Sequence, residues 1–217
     1  MCGRYTLTVT RDRLKKLIDR SLPKTYKPSY NISPGKQIVC FRNNSQEETA
    51  NLATWGLPTK NGLLINARSE TAHELPTFKK AWIEGRCLIP ATGFIEWMGD
   101  GIQNLPFYVR PKTHEVVFFC GLTFDDTTAE SSQDRVVIVT TGSNEALQKL
   151  HHRMPLTVSP EQANHWLSGS CNSGSAFEGS NEWDLQPISK QINKTKNDSK
   201  ELLDPDFGKY SGQLDLF

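Results

Sequence analysis

The sequence predicts an α+β protein, a single domain with a β-barrel-like antiparallel core and peripheral helices. Three observations carry this expectation. Apolar, β-branched and aromatic runs (QIVCFRN, RCLIPATGFIEWM, LPFYVRP, EVVFFCGLTF and DRVVIVTTG) are separated by turn residues, as short sheet strands are. Helical spacing is confined to brief segments among them. A chain of 217 residues with 36% hydrophobic side chains and no internal repeat is long enough for one substantial core.

The elements follow in order. In TRDRLKKLI, Leu14, Leu17 and Ile18 fall at helical spacing behind Thr10, whose hydroxyl can cap the first turn. SLPKTYKPSYNISPG is rich in Pro, Ser and Tyr and reads as an extended surface segment. ETANLATWG and GLLINAR are strand-like, and TFKKAWIEG is helical. NEALQKLHHRM and SPEQANHWL read as two further helices, the second with Ser159 as cap and Pro160 at its first position. Residues 168–180 hold eight Ser or Gly among thirteen and form a loop.

Composition excludes several classes. Five cysteines with no CxxC pair indicate neither a disulfide framework nor a zinc knuckle, and neither a metal nor a cofactor is expected. Cys40, Cys87 and Cys120 sit in apolar runs and are assigned to the core, whereas nothing around Cys2 is apolar. No signal-peptide-like apolar region and no membrane-length apolar run is present, so the expectation is a cytoplasmic protein with no membrane contact. Net charge is +1, but residues 1–42 hold ten Lys and Arg against two Asp, a local +8 that suits phosphate contact.

The chemistry begins at MCGRY. If Met1 is removed, Cys2 carries a free α-amine and a thiol on adjacent carbons. The amine, with an ordinary pKa of about 7.7 to 8.0, is partly unprotonated at neutral pH and can attack an aldehyde. The neighbouring thiol can then close a five-membered thiazolidine ring, which proximity favours. Three other stretches supply companions. Asn66 and Arg68 lie two apart in LLINARSE, on one face of a strand. Glu96 is a carboxylate inside the apolar run TGFIEWM, where burial is costly without a purpose or a partner. His151, His152 and Arg153 close a helix just before Pro155, and a histidine there can move protons near neutral pH.

MCGRY, YNISPG, WG at 55–56, INARSET, CLIPATGFIEW, VVIVTT, LHHRMPLTV and KTKND together resemble, in order, the signatures of the SRAP family of abasic-site processing proteins. The resemblance runs over about residues 2–200. It implies an SRAP domain over residues 2–205 and a flexible tail over residues 206–217. It also implies binding to single-stranded DNA, a thiazolidine crosslink to the ring-opened abasic site, abasic-site lyase chemistry and a peptidase-like activity on the protein's own amino terminus. Residue by residue, Cys2 becomes the crosslinking nucleophile and Asn66 the amide that holds the reacting amine. Glu96 orients or deprotonates the amine, and His151 is the acid/base that opens the deoxyribose ring. Arg4, Asn31, Pro34, Arg68, Thr140 and Arg153 match the DNA groove, and Trp97 is a stacking candidate. The short WGLPTKNGLLIN stretch lacks the tryptophan pair that some bacterial members carry there.

The terminal QLDLF resembles the bacterial sliding-clamp motif, which makes Gln213, Leu214, Leu216 and Phe217 clamp-binding candidates and the replication fork a place of work. The expected state is a nucleoid-associated monomer. Two other readings stay open on the residues. One is an N-terminal-nucleophile hydrolase, because class II glutamine amidotransferases also begin MCG; the other is a noncatalytic DNA-binding or clamp-recruited adaptor.

Overall fold

A computed structural model describes residues 2–19, 21–42, 50–99, 104–125, 134–170 and 182–205. Met1, the tail 206–217 with its clamp candidates, Cys171 and most of the Ser/Gly-rich segment lie outside the described residues. The first half runs β1 (Tyr5–Leu7), α1 (Arg11–Ile18), β2 (Ser29–Ile32), β3 (Gln37–Arg42), β4 (Asn51–Trp55), the hairpin β5 (Leu57–Thr59) and β6 (Gly62–Leu64), β7 (Asn66–Arg68) and α2 (Pro76–Glu84). The second half runs β8 (Arg86–Ala91), β9 (Gly93–Met98), β10 (Leu105–Pro111), β11 (Val117–Phe124), β12 (Arg135–Gly142), α3 (Glu145–Gln148), β13 (Arg153–Pro155), β14 (Thr157–Val158), α4 (Ala163–Leu167) and β15 (Trp183–Pro187).

Five strands close a barrel in the order β12, β4, β3, β8, β11 and back to β12, which leaves the ring without an open edge. The α+β expectation with a barrel core therefore holds. The pairing is antiparallel except along β12, which runs parallel to β4 and β7. A second sheet, in the order β15, β10, β9, β1, β2, packs beside the barrel. The two share a continuous stretch of chain: RCLIPATGFIEWM is two strands, with β8 in the barrel and β9 in the second sheet. At the joint between them, the Thr92 hydroxyl meets Thr6 at 2.8 Å.

The core lies where the two sheets meet. Tyr5, fully buried, sets its ring edge-on to Trp55 (5.6 Å) and Phe119 (5.7 Å). Cys40, Cys87 and Cys120 are all buried there. In α1, Thr10 caps Arg13 N–H at 3.3 Å and Leu14 is fully buried, a burial worth about 1.5–3 kcal/mol. Asp19 ends the helix in the left-handed conformation, φ 48°. Arg86 is buried between Trp82 and Trp166, 4.8 and 4.7 Å from their ring centres.

Three sequence expectations are corrected. NEALQKLHHRM is not one helix: α3 ends at Gln148, and Arg153–Pro155 is a strand paired with the end of β12. Pro155 bars a helix at the strand itself, because a proline disfavours helical backbone at the residue before it and donates no N–H to continue a helix. SLPKTYKPSYNISPG is less of a surface run than its composition suggested, since β2 within it pairs with β1 and buries Asn31 and Ile32. Cys2, polar in its sequence surroundings, is fully buried.

Candidate active site

β12 organises the site because different partners flank its two halves. Its first half pairs with β4 and β11; its second half pairs with β7 on one side and β13 on the other. Thr140 sits opposite both Arg68 and Pro155. INARSE and HHRMP, far apart in sequence, are thus laid on either side of one strand end. The second sheet brings the remaining groups, with Cys2 just ahead of β1 and Glu96 on the adjacent β9.

Cys2 is fixed from both sides. Its carbonyl accepts a hydrogen bond from Asn66 Nδ2 at 3.1 Å, and its thiol points at the Arg4 carbonyl, 3.9 Å away. β1 and β9 pair antiparallel at Tyr5 and Phe94, and Ile95 N–H donates to Arg4 O at 2.9 Å, so one further step along this ladder reaches Gly3 and Glu96. Burial pushes the Glu96 carboxyl from the usual carboxylate range up to about 7. Burial, and after it the nearby Glu96 charge, holds the Cys2 thiol well above its ordinary range, so it is a protonated thiol at neutral pH. With Asn66 Nδ2 turned to Cys2 O, the buried Asn66 Oδ1 is, among the described residues, an acceptor without a hydrogen-bond partner. An unmet buried acceptor is costly.

His151 is half-buried, and burial lowers its pKa, which keeps the imidazole neutral near pH 7. Its Nδ1 lies 2.9 Å from Arg153 N and 3.1 Å from Arg153 O. The neutral ring accepts the amide hydrogen and keeps its own proton on Nε2; on protonation Nδ1–H can turn its bond to the carbonyl. Both protonation states have a partner, as a proton-transfer group requires. His152 stacks on it, ring centres 4.3 Å apart.

The groove candidates divide into two sorts. Arg68 is exposed and, among the described residues, meets no carboxylate; Pro34 is half-buried. Arg4 and Asn31 are buried and joined, Arg4 Nη1 to Asn31 Oδ1 at 2.5 Å. Both also hold the C-terminal segment: Arg4 reaches Ile192 O at 2.7 Å, and Asn31 Nδ2 is shared among the carbonyls of Ile192, Lys194 and Asn197. Trp97 is half-buried, its indole N–H on Asn193 Oδ1 at 2.8 Å and Arg4 5.8 Å from its ring centre. Thr140 is fully buried and touches Arg153 through both its carbonyl (2.6 Å) and its hydroxyl (3.2 Å). Arg153 makes a two-pronged ion pair with Glu70, at 2.6 and 2.9 Å.

Sequence reasoning missed Glu70, whose pKa the Arg153 hydrogen bonds lower, and Asp198, which accepts from Ser29 Oγ (2.8 Å) and Tyr30 N–H (2.6 Å). The signal for each was its place in INARSET and KTKND, where it stood without a stated task. Among the described residues no group of three or more His, Cys, Asp and Glu could hold a metal ion, and no helix is long and apolar enough to cross a membrane.

Fold and site define the class first: a small α+β barrel protein whose site is assembled around the second residue of its own chain. The chain belongs to the SOS response associated peptidase (SRAP) family, whose model matches residues 1–195. It is 31% identical over 222 residues to the abasic site processing protein YoqW of Bacillus subtilis, covering 94% of this chain and 99% of that one. It is 29% identical to the abasic site processing protein YedK of Escherichia coli, covering 94% and 100%. A crystal structure of a Bacteroides thetaiotaomicron protein shares the fold with a TM-score of 0.81 at 18% identity, covering 94% of this chain and all of that one.

Proposed function

We propose that this protein processes abasic sites by binding single-stranded DNA and joining Cys2, freed of Met1, to the ring-opened aldehyde as a thiazolidine. The observation that carries the reading is the buried constellation of Cys2, Asn66 and Glu96, with His151 two residues ahead of β13, which flanks the same half of β12 as β7, the strand of Asn66, in a chain whose relatives are named abasic site processing proteins.

The steps follow from the groups present. His151, neutral with its proton on Nε2, assists opening of the deoxyribose hemiacetal to the aldehyde. The Cys2 amine adds to the aldehyde carbon and loses water to give an imine; Glu96, poised near neutrality, takes the proton the amine sheds. The thiol then adds to the imine carbon while its proton passes to the nitrogen. One water leaves and no redox partner is needed. Asn66 holds the Cys2 carbonyl and offers Oδ1 to the amine or to a sugar hydroxyl. The imine is also the species from which a lyase step can start, and burial of the thiol beside it favours ring closure instead. Arg68 and the neighbouring basic residues hold phosphates without reading sequence. The same free amine and thiol would serve the family's peptidase-like action on the amino terminus. We assign Gln213, Leu214, Leu216 and Phe217 to binding of a bacterial sliding clamp, and place the monomeric protein at the nucleoid.

Purified protein is incubated with a uracil-containing single strand treated with uracil glycosylase, and intact mass is measured in parallel. The expected result is loss of Met1 and a heat-stable shifted band that Cys2→Ala abolishes. A band unchanged in Cys2→Ala, or ammonia released from glutamine in its place, overturns the reading. His151→Ala is expected to slow crosslinking or its reversal at nearly unchanged DNA affinity. Arg68→Ala is expected to weaken binding to intact and abasic strands alike.

A further inference from the structure

A cavity of about 280 Å³ opens between β1, β2, β3 and the segment before β2, and none of Cys2, Asn66, Glu96 or His151 lines it. Its walls differ in chemistry. Leu7, Val39 and Leu52 make an apolar floor. The half-buried ring of Tyr26 stands at one side, held rigid by its hydroxyl bond to Val9 O at 2.6 Å. Lys27 and Lys36, both exposed, stand at the rim, and Asp198 closes one end. Each Asp198 oxygen already accepts one hydrogen bond, from Ser29 or Tyr30, and each retains a second lone pair.

We propose that this cavity is a second subsite, which takes a nucleobase flanking the lesion on the same single strand and prefers a base with an exocyclic amino group. The assignment rests on the single-strand reading above. The volume lies at the small end of ligand sites, which suits one heterocycle. The flat apolar floor and the fixed Tyr26 ring offer the stacking surface that a base needs, the two lysines take its phosphates, and Asp198 can accept only from a donor, which adenine, cytosine and guanine carry and the exocyclic positions of thymine do not. The place is right for a neighbour of the lesion. Tyr5 at the back of the cavity is three residues from Cys2, about 10 Å along the chain. Asn31, another lining residue, is bonded directly to Arg4. Filling the subsite would therefore press on the Arg4 and Asn31 pair that braces the Cys2 strand.

The test uses the full-length protein and an 11-nucleotide single strand with a tetrahydrofuran abasic analogue at its centre, read by fluorescence anisotropy. Each flanking base is replaced in turn by a second abasic analogue or by thymine. One flanking position is expected to lose about tenfold in affinity without its base, and part of that with thymine. Thr25→Trp, at an exposed lining position where the new ring fills the cavity, is expected to weaken the intact strand about tenfold and become indifferent to that base. Lys36→Ala should lower affinity uniformly and reduce the salt slope by about one. If every flanking position counts equally, or Thr25→Trp keeps the wild-type preference, the subsite is disproved. Crosslinking of a true abasic strand, run alongside, separates the two readings: intact crosslinking with uniform flanking positions removes the subsite alone, and failure to bind or crosslink removes both.

Discussion

At the scale of single residues, Glu96 states the cost of the site. Its carboxyl is raised to about 7 by burial, so between the ordinary carboxylate range and pH 7 the folded protein binds a proton that the unfolded chain has released. Stability from this group therefore falls as pH rises through that window and stays lower above it, by up to about 3 kcal/mol. Glu96→Gln removes the titration. In urea unfolding, the variant is expected to gain stability over the parent at pH 8 and to match it near pH 4.5. Its crosslinking rate at pH 8 should fall at least about tenfold, since the base is gone. Wild-type crosslinking should climb as pH passes about 7. A variant that is less stable at both pH values, or a rate flat across that window, would show that Glu96 has no such role. Asn66 poses the same trade in smaller form, with an unmet Oδ1 kept beside Cys2.

At the scale of elements, Asn31 on β2 ties three stretches of chain together. It accepts from Arg4 at the start of β1 and reaches Ile192, Lys194 and Asn197 around the 3-10 turn Lys190–Asn193. Asn31→Ala leaves those buried carbonyls and the Arg4 guanidinium short of partners, a loss of about 2–4 kcal/mol. Thermal melting should register it, and limited proteolysis should cut first within residues 188–205. Cleavage elsewhere at the wild-type rate would show that the segment is held by other contacts. β13 behaves likewise. Glu70, about half-exposed, grips Arg153, so Glu70→Gln is expected to cost only about 1 kcal/mol. Because Arg153 N and O both face His151 Nδ1, the pH profile of crosslinking is the sharper readout, and a profile identical to wild type would deny the connection.

At the scale of the whole molecule, the C-terminal segment completes the fold. Ile188, Ile192 and Leu202 are buried with Ile95 and Tyr108 in a small second core beneath the second sheet. A chain ending at residue 188 is expected to lose stability and DNA binding together, whereas one ending at residue 212 should crosslink at the wild-type rate and lose affinity for the sliding clamp in a pull-down with purified clamp. Much of this architecture was legible beforehand. Strands such as β11 and β12 announced themselves by β-branched and aromatic runs, and α1 by Thr10 and its leucine spacing, because these signals are local. Glu96 was legible for the same reason, as a charge in an apolar run. The fate of HHRMP was not, since a short helical pattern yields when Pro155 and an open strand edge compete for it. Nor was the burial of Cys2, Arg4 and Asn31, because the Asn66 amide and the carbonyls of Ile192, Lys194 and Asn197 that meet them lie far away in sequence. Sequence by itself therefore determined the class of fold and the family, and named the candidate reactive groups, because periodicity and motif are written residue by residue. Tertiary structure alone decided that β12 closes the barrel, that INARSE and HHRMP meet along it, and that Cys2 is buried beside Glu96. Those outcomes depend on pairing across long loops, where burial and register, not local preference, carry the free energy.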